Sequence, residues 1–342
     1  MTAIDLVAGA MLLSLVMYSL LAGADYGAGF WDLMCSGPRK DQQRHLIEQA
    51  IGPVWEANHV WLILTIVLLF SNFPGAFGAA SVALAIPLLL VLAGIVFRGC
   101  SYVFRTYFTG DKEAQLYWGR IFSISSSLTP FFLGTLIGAI SCDRVVMEGG
   151  LSKYGFIKTW ISPFPLGVGI LALSLFAYLS ACYLAVEATT AELQDDFRVR
   201  ALIASLVSMA IALAVYLMAG TAATAIRQGL VERPAGWLVE ACAIAATIVA
   251  LRALWLRHFQ RARMAAAVQV AFIIVGWGIA QYPYLIRPDM TITNSAAPEN
   301  VASAIDIALG CGAVVLIPSL ALLFLIFKRT RSAAPQAVHE TD

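Results

Sequence analysis

Leu6-Val-Ala-Gly-Ala-Met-Leu-Leu-Ser-Leu-Val-Met-Tyr-Ser-Leu-Leu-Ala-Gly-Ala24 is an uninterrupted apolar run, and Asp25 follows it directly in Leu21-Ala-Gly-Ala-Asp-Tyr-Gly-Ala-Gly-Phe30. Coiled as a helix, such a run is about 28 Å long, close to the ~30 Å of hydrocarbon in a bilayer. The residues ahead of it, Met1–Leu6, carry Asp5 and no Lys or Arg. They lack the basic start of a cleaved signal peptide, so the run is expected to stay as a helix. The rest of the chain repeats the pattern. Of its 342 residues, 60% are hydrophobic and 13% are charged. Soluble domains carry about 25% charged residues. The shortfall points to lipid as the solvent. A net charge of +1 gives no clustered basic surface for nucleic acid. The six cysteines are scattered singly, with no paired spacing, and are expected to pack as small apolar residues.

Further apolar runs are Ala57–Phe97, Ile121–Cys142, Thr159–Val186, Ala201–Ile226, Met264–Ile286 and Ile307–Phe327. Ala57–Phe97 is too long for one crossing, and Ser71-Asn-Phe-Pro-Gly75 in its middle has turn chemistry, which divides it in two. Trp237–Trp255 adds a span with Glu240 and Arg252 near its ends. The expected fold is all-α and polytopic, with about nine transmembrane helices and a polar tail over residues 331–342. Basic residues set the orientation. With the N-terminus outside, sixteen Lys and Arg fall on inside segments, Arg98, Arg105 and Arg120 among them. The remaining six, Arg144, Lys153, Lys158, Arg227, Arg233 and Arg287, fall outside. N-out, C-in is the expectation.

Chemistry within such a chain is sought where ionisable groups meet apolar runs. Asp25 closes the first run, and Glu56 stands where the second begins, in Ile51-Gly-Pro-Val-Trp-Glu-Ala-Asn-His-Val-Trp61. An ionisable group inside a span costs a few kcal/mol and by default marks an ion, proton or substrate path. The alternative is that both carboxylates sit cheaply at the interface. Gly23, Gly27 and Gly29 allow another backbone close to Asp25. Trp55, Asn58, His59 and Trp61, with Glu56, make the second helix too polar there for lipid, and Pro53 just ahead opens or interrupts it. Arg98 and Arg105 lie seven residues apart. They read either as snorkelling anchors or as partners for anionic groups at a subunit interface. Among the four histidines, His59 alone has a position suited to a haem ligand, though a hydrogen-bonded role is commoner for a lone histidine. No metal-ligand spacing appears.

Gly23-Ala-Asp-Tyr-Gly-Ala-Gly29, Pro53-Val-Trp-Glu-Ala-Asn-His-Val-Trp-Leu62 and Phe73-Pro74 resemble the signature of cytochrome bd-type quinol oxidase subunit II. That family has GFD-x-G-x-G at the end of its first helix and P-x-W-(D/E)-x-N-x-V-W-L opening its second. Weaker matches follow in order at Phe97-Arg98, Thr129-Pro130, Pro163-Phe164, Tyr282-Pro283-Tyr284 and Thr291-Ile-Thr-Asn-Ser295. The resemblance therefore spans the whole chain.

The resemblance implies two four-helix bundles, about residues 4–142 and 159–286, and a last helix at about 304–327. It also implies a heterodimer with subunit I, which carries two b-type haems, a d-type haem and the quinol site, in a bacterial inner membrane. Small single-helix accessory subunits are a further expectation. This chain would bind no haem itself. It would help deliver protons through Asp25, nearer the entrance, and Glu56, with Trp55, Asn58, His59 and Trp61 around them. Two positions depart from the family. Ala22 stands where many members have a further acid, and Glu56 stands where many have Asp. The rival reading is a proton- or ion-coupled secondary transporter, which would be favoured by inverted repeats with broken helices; no convincing pair appears. A structural scaffold is a second rival.

Overall fold

A computed structural model describes residues 3–51, 55–107 and 112–332. The first apolar run becomes α1, Ala3–Leu33, which continues for more than two turns beyond Asp25. After a short turn comes α2, Lys40–Ile51, which buries Gln43, Leu46, Ile47 and Ile51 along one stripe and leaves its charged face outward. The short helix α3, Trp55–Asn58, leads into α4, Val60–Asn72. Pro53 lies outside the described residues.

The turn expected at Ser71–Gly75 is there, but it holds more than a turn. Phe73 leaves helical geometry (φ −133°, ψ 57°), and Pro74 opens the ten-residue helix α5, Pro74–Ala83. Proline suits a first helical position because its missing N–H has no partner there anyway. Then follow α6, Ala85–Tyr107, and α7, Lys112–Ser141. A two-stranded hairpin, β1 (Met147–Glu148) with β2 (Leu151–Ser152), and the one-turn α8, Gly155–Lys158, lead to α9, Pro163–Glu187.

Thr190 caps α10, Ala191–Ala222, by accepting the Leu193 N–H. Ala223 (φ −145°, ψ 54°) then repeats the Phe73 break, ending this span short of the expected Ile226. The nine-residue α11, Thr224–Glu232, lies between it and α12, Pro234–Trp255. The chain ends with α13, Phe259–Gln281, the hairpin β3 (Tyr284–Ile286) with β4 (Met290–Thr291), and α14, Glu299–Ser332. Among the described residues, eight helices are long and apolar enough to cross a membrane, or nine if the bent pair Lys40–Ile51 and Glu56–Asn72 is one span. The all-α polytopic expectation therefore holds. All six cysteines are free; Cys35, Cys142 and Cys182 are buried.

The centre is built from α1, α7, α9 and α13, with α1 against α7, α9 and α13, and α9 against α7 and α13. Small residues bring these axes together. A Cβ on Gly27 would collide with the Phe176 carbonyl of α9, and one on Gly29 with the Ser126 side chain of α7. Gly134 and Gly138 of α7 face Gly169 and Pro165 of α9 in the same way. Lipid supplies no hydrophobic drive between helices, so close backbone packing must do that work.

At the end of the bundle where α1 finishes and α10 begins, ion pairs tie the elements together. Arg39 holds Asp196 with two hydrogen bonds, 2.9 and 2.5 Å, and Gln43 joins Asp196 at 2.8 Å and Arg200 at 2.8 Å. Asp195 takes both Arg198 (2.8 Å) and Arg257 (2.9 Å). Most of these side chains are partly exposed, where single pairs contribute roughly 0–1 kcal/mol. Their effect is to pin α2 across the helix ends.

Candidate functional site: a polar cluster around Asp25

The extension of α1 past Asp25 decides the geometry. Tyr18, Asp25 and Asp32 are spaced by seven residues, so they lie near one face of α1 at intervals of about 10 Å. Arg98 and Arg105 have the same spacing on α6 and face this stripe. The result is two polar layers, one at the helix ends and one within the bundle.

In the layer at the helix ends, Asp32 is buried and accepts from Ser123 at 2.6 Å and Arg105 at 3.1 Å, with Arg44 at 3.8 Å. Arg105 also pairs with Glu48 of α2. Arg105 thus meets two carboxylates of its own chain.

The deeper layer centres on Asp25, which accepts a 2.6 Å hydrogen bond from Asn58 Nδ2. Tyr26, beside it, packs under the Arg98 guanidinium at 4.7 Å, and Phe122 lies on that guanidinium at 5.4 Å. Arg98 Nε donates to Ser126 Oγ at 3.1 Å, and its charge acts on Asp25. Arg98 is 1% exposed, among the most deeply buried side chains of the molecule. Within this chain it is buried rather than snorkelling, with two aromatic rings and a serine around its guanidinium and the Asp25 carboxylate near enough to feel its charge. It therefore drops out of the orientation count.

On the other side of Asp25, Tyr18 and Tyr26 join hydroxyls at 3.1 Å, and Tyr18 reaches His59 Nδ1 at 3.5 Å. The His59 ring lies 5.8 Å from Tyr18 and 6.2 Å from Tyr26. Tyr18 and Tyr26 thus hold the His59 ring within the bundle. Asn58 Oδ1 and Trp61 Nε1 are buried with no hydrogen-bond partner among the described residues. They leave one acceptor on the residue that holds Asp25 and one donor on a tryptophan packed against the Tyr18–Tyr26 cluster.

The remaining expected residues divide. Asn58, His59 and Trp61 join Asp25 or its surroundings. Glu56, two residues before Asn58, is exposed on the surface of this chain. Trp55 opens α3, and its side chain lies outside the described residues. Sequence reading missed Tyr18, Tyr26, Asp32, Ser123 and Ser126. The seven-residue spacing that links Tyr18 and Asp32 to Asp25 is the available signal for two of them. Among the described residues, no group of three His, Cys, Asp or Glu is placed to hold a metal ion.

Comparison with known proteins adds the family. The profile of cytochrome bd terminal oxidase subunit II matches residues 3–327. The putative cytochrome bd menaquinol oxidase subunit II of Bacillus subtilis (strain 168) is 24% identical over 328 residues, covering 92% of both chains. The cytochrome bd-I ubiquinol oxidase subunit 2 of Escherichia coli (strain K12) is 26% identical over 344 residues, covering 90% of this chain and 88% of that one. A chain of the bd oxidase from Geobacillus thermodenitrificans superposes with a TM-score of 0.80 at 25% identity, covering 96% of this chain and 99% of that chain. The motifs around Asp25 and Asn58, the order of the helices and a match running almost end to end agree, and the chain belongs to the cytochrome bd terminal oxidase subunit II family.

Proposed function

We propose that this chain is the second subunit of a quinol-oxidising, oxygen-reducing terminal oxidase, and that its polar cluster delivers protons to haems held by subunit I. The observation that carries this reading is the Asp25–Asn58–Arg98 constellation inside apolar helices. Oxygen reduction to water consumes protons, and hydrocarbon supplies none, so titratable groups and water must lead them inward. Asp25, fixed by Asn58 within the bundle, holds and passes a proton; the spare polar atoms of Asn58 and Trp61 offer a water its partners. Glu56, on the open face, passes the proton across to the partner subunit. An exposed carboxylate at the start of a span is costly against lipid, which supports protein or water on that face.

In this reading the haems, two of b type and one of d type, and the quinol site belong to subunit I, and small single-helix chains join the complex. The His59 environment supports a protein-held histidine here. Packing of α1 with α4 and α7, of α6 with α7, of α9 with α10 and α13, and of α12 with α13 supports two bundles of four long segments, with α14 peripheral on α1 and α4. The ion-paired end, rich in Arg, is assigned to the cytoplasm and the tail after residue 330 with it.

Glu56→Gln keeps shape and hydrogen bonding but cannot titrate. The expected result is a complex with native haem absorption, slower quinol-driven oxygen consumption, and partial recovery in Glu56→Asp. Turnover at the native rate removes the proton role; loss of the haems makes the residue structural.

A further inference from the structure

At the opposite end of the bundle from the ion-pair layer, the breaks at Ala223 and Arg233 fold α11 back over the ends of α10 and α13. Two adjoining cavities lie there, about 310 and 220 Å³, sharing Gln228 and Glu232 in their walls. Three of the six basic residues counted at this end line them: Arg227 in the larger, Arg233 and Arg287 in the smaller. Glu232 is the one acidic side chain in either wall, so the surroundings are net cationic.

The three guanidiniums are positioned rather than loose. Arg227 lies 5.2 Å from the Tyr216 ring and directly over Gly220, where any Cβ would collide with its Nη1. Among the described residues no carboxylate lies within ion-pair distance of it. Arg233 donates Nη1 to the Ile279 carbonyl at 2.8 Å, which leaves its other donors available. Arg287 is 8% exposed, stacks on Tyr284 at 4.5 Å and donates Nη2 to the Ala280 carbonyl at 3.1 Å. Its Nε is buried with no hydrogen-bond partner among the described residues. Planar guanidinium forks of this kind match the oxygens of a phosphate.

What continues below Arg227 is apolar. Leu206, Leu213 and Leu217 share the face of α10 that ends at Gly220, and each is about 60% exposed. Trp237, 63% exposed, donates to the Val231 carbonyl at the same level, as an interfacial aromatic does. A phosphate at the arginines and a hydrocarbon chain along the leucines describe one kind of molecule.

We propose that this cleft binds the phosphate headgroup of an anionic phospholipid, with an acyl chain lying along Leu217, Leu213 and Leu206 of α10. The proposal is independent of the proton reading, because no residue near Asp25 takes part.

The test uses the purified complex containing this chain, stripped of lipid and titrated with phosphatidylglycerol, phosphatidylethanolamine or inorganic phosphate while thermal stability and retained lipid are read. Phosphatidylglycerol is expected to raise Tm saturably and to be retained in native mass spectrometry. In Arg227→Gln the half-saturating concentration should rise about tenfold, the loss of one charge-assisted contact of roughly 1.4 kcal/mol, with Arg227→Lys between. Arg227 is exposed, so the variant is expected to fold, and its unliganded Tm serves as the check. Equal stabilisation by phosphatidylethanolamine, or an unchanged titration in Arg227→Gln, overturns the site. The full shift from inorganic phosphate alone overturns the lipid assignment.

Discussion

Arg98 shows how much the surroundings of one residue decide. From sequence it read as a charge at the membrane edge, because the apolar run stops at Phe97 and basic residues follow. In the fold it is nearly fully buried, with Tyr26 and Phe122 on its two sides and Ser126 at its Nε. A charge taken out of water needs such compensation, and removing one side of a buried pair costs about 3–5 kcal/mol. Arg98→Ala should therefore destabilise the complex by an amount of that order, read as a lower Tm. Arg98→Lys should recover little, since an ammonium does not reproduce a planar group stacked on aromatic rings. Full recovery by lysine would show that charge alone matters at this position. Asp25 and Asn58, by contrast, were legible from the start, because a carboxylate and an amide at the edges of apolar runs have few cheap explanations. Their mutual hydrogen bond was not, since 33 residues separate them.

At the scale of elements, glycine and proline carried most of the readable information. The Gly23–Gly29 cluster predicted a close approach to α1, and the structure supplies the partner: the α9 backbone at Phe176 and the α7 side chain of Ser126. Gly9, on the same helix, has nothing near its missing Cβ. Gly27→Ala should consequently destabilise the complex by at least the roughly 1–3 kcal/mol of an overpacked core, while Gly9→Ala should leave Tm unchanged or slightly higher. Equal effects at the two positions would mean that the α1–α9 approach has been misread. The breaks at Phe73 and Ala223 were harder to see. Pro74 announced the first, but nothing in Gly220-Thr-Ala-Ala-Thr224 marks an end to α10, so the span was expected to run on to Ile226. Asp32 escapes a sequence reading for a related reason: the apolar run stops at Asp25, whereas ion pairs with Arg105 and Arg44 let α1 continue charged.

For the whole molecule, composition alone separates lipid from water as the solvent, and the count of apolar runs comes close to the eight or nine helices among the described residues that are long and apolar enough to cross a membrane. How the spans sit beside one another was not legible, because near-uniform apolarity leaves no helical face distinguished until neighbours are known. The charged residues did better. With Arg98 set aside, the arginines at the ends of α6 and α12 and the starts of α10 and α13 still gather at one end of the bundle. A reporter fused after Lys328 should accordingly read cytoplasmic. An external reading would reverse the orientation or change the number of crossings, and with it the side on which the proposed proton entrance lies.

The most direct test of the proton role is quinol-driven oxygen consumption by the intact complex carrying Asp25→Asn, with its haem absorption spectrum taken from the same sample. Asparagine fills the same space and can still pair with Asn58, but it cannot carry a proton. If Asp25 is the carrier, the spectrum stays native, oxygen consumption falls by about tenfold or more, and Asp25→Glu restores part of it. A native spectrum with native turnover in Asp25→Asn would contradict the role assigned to this site.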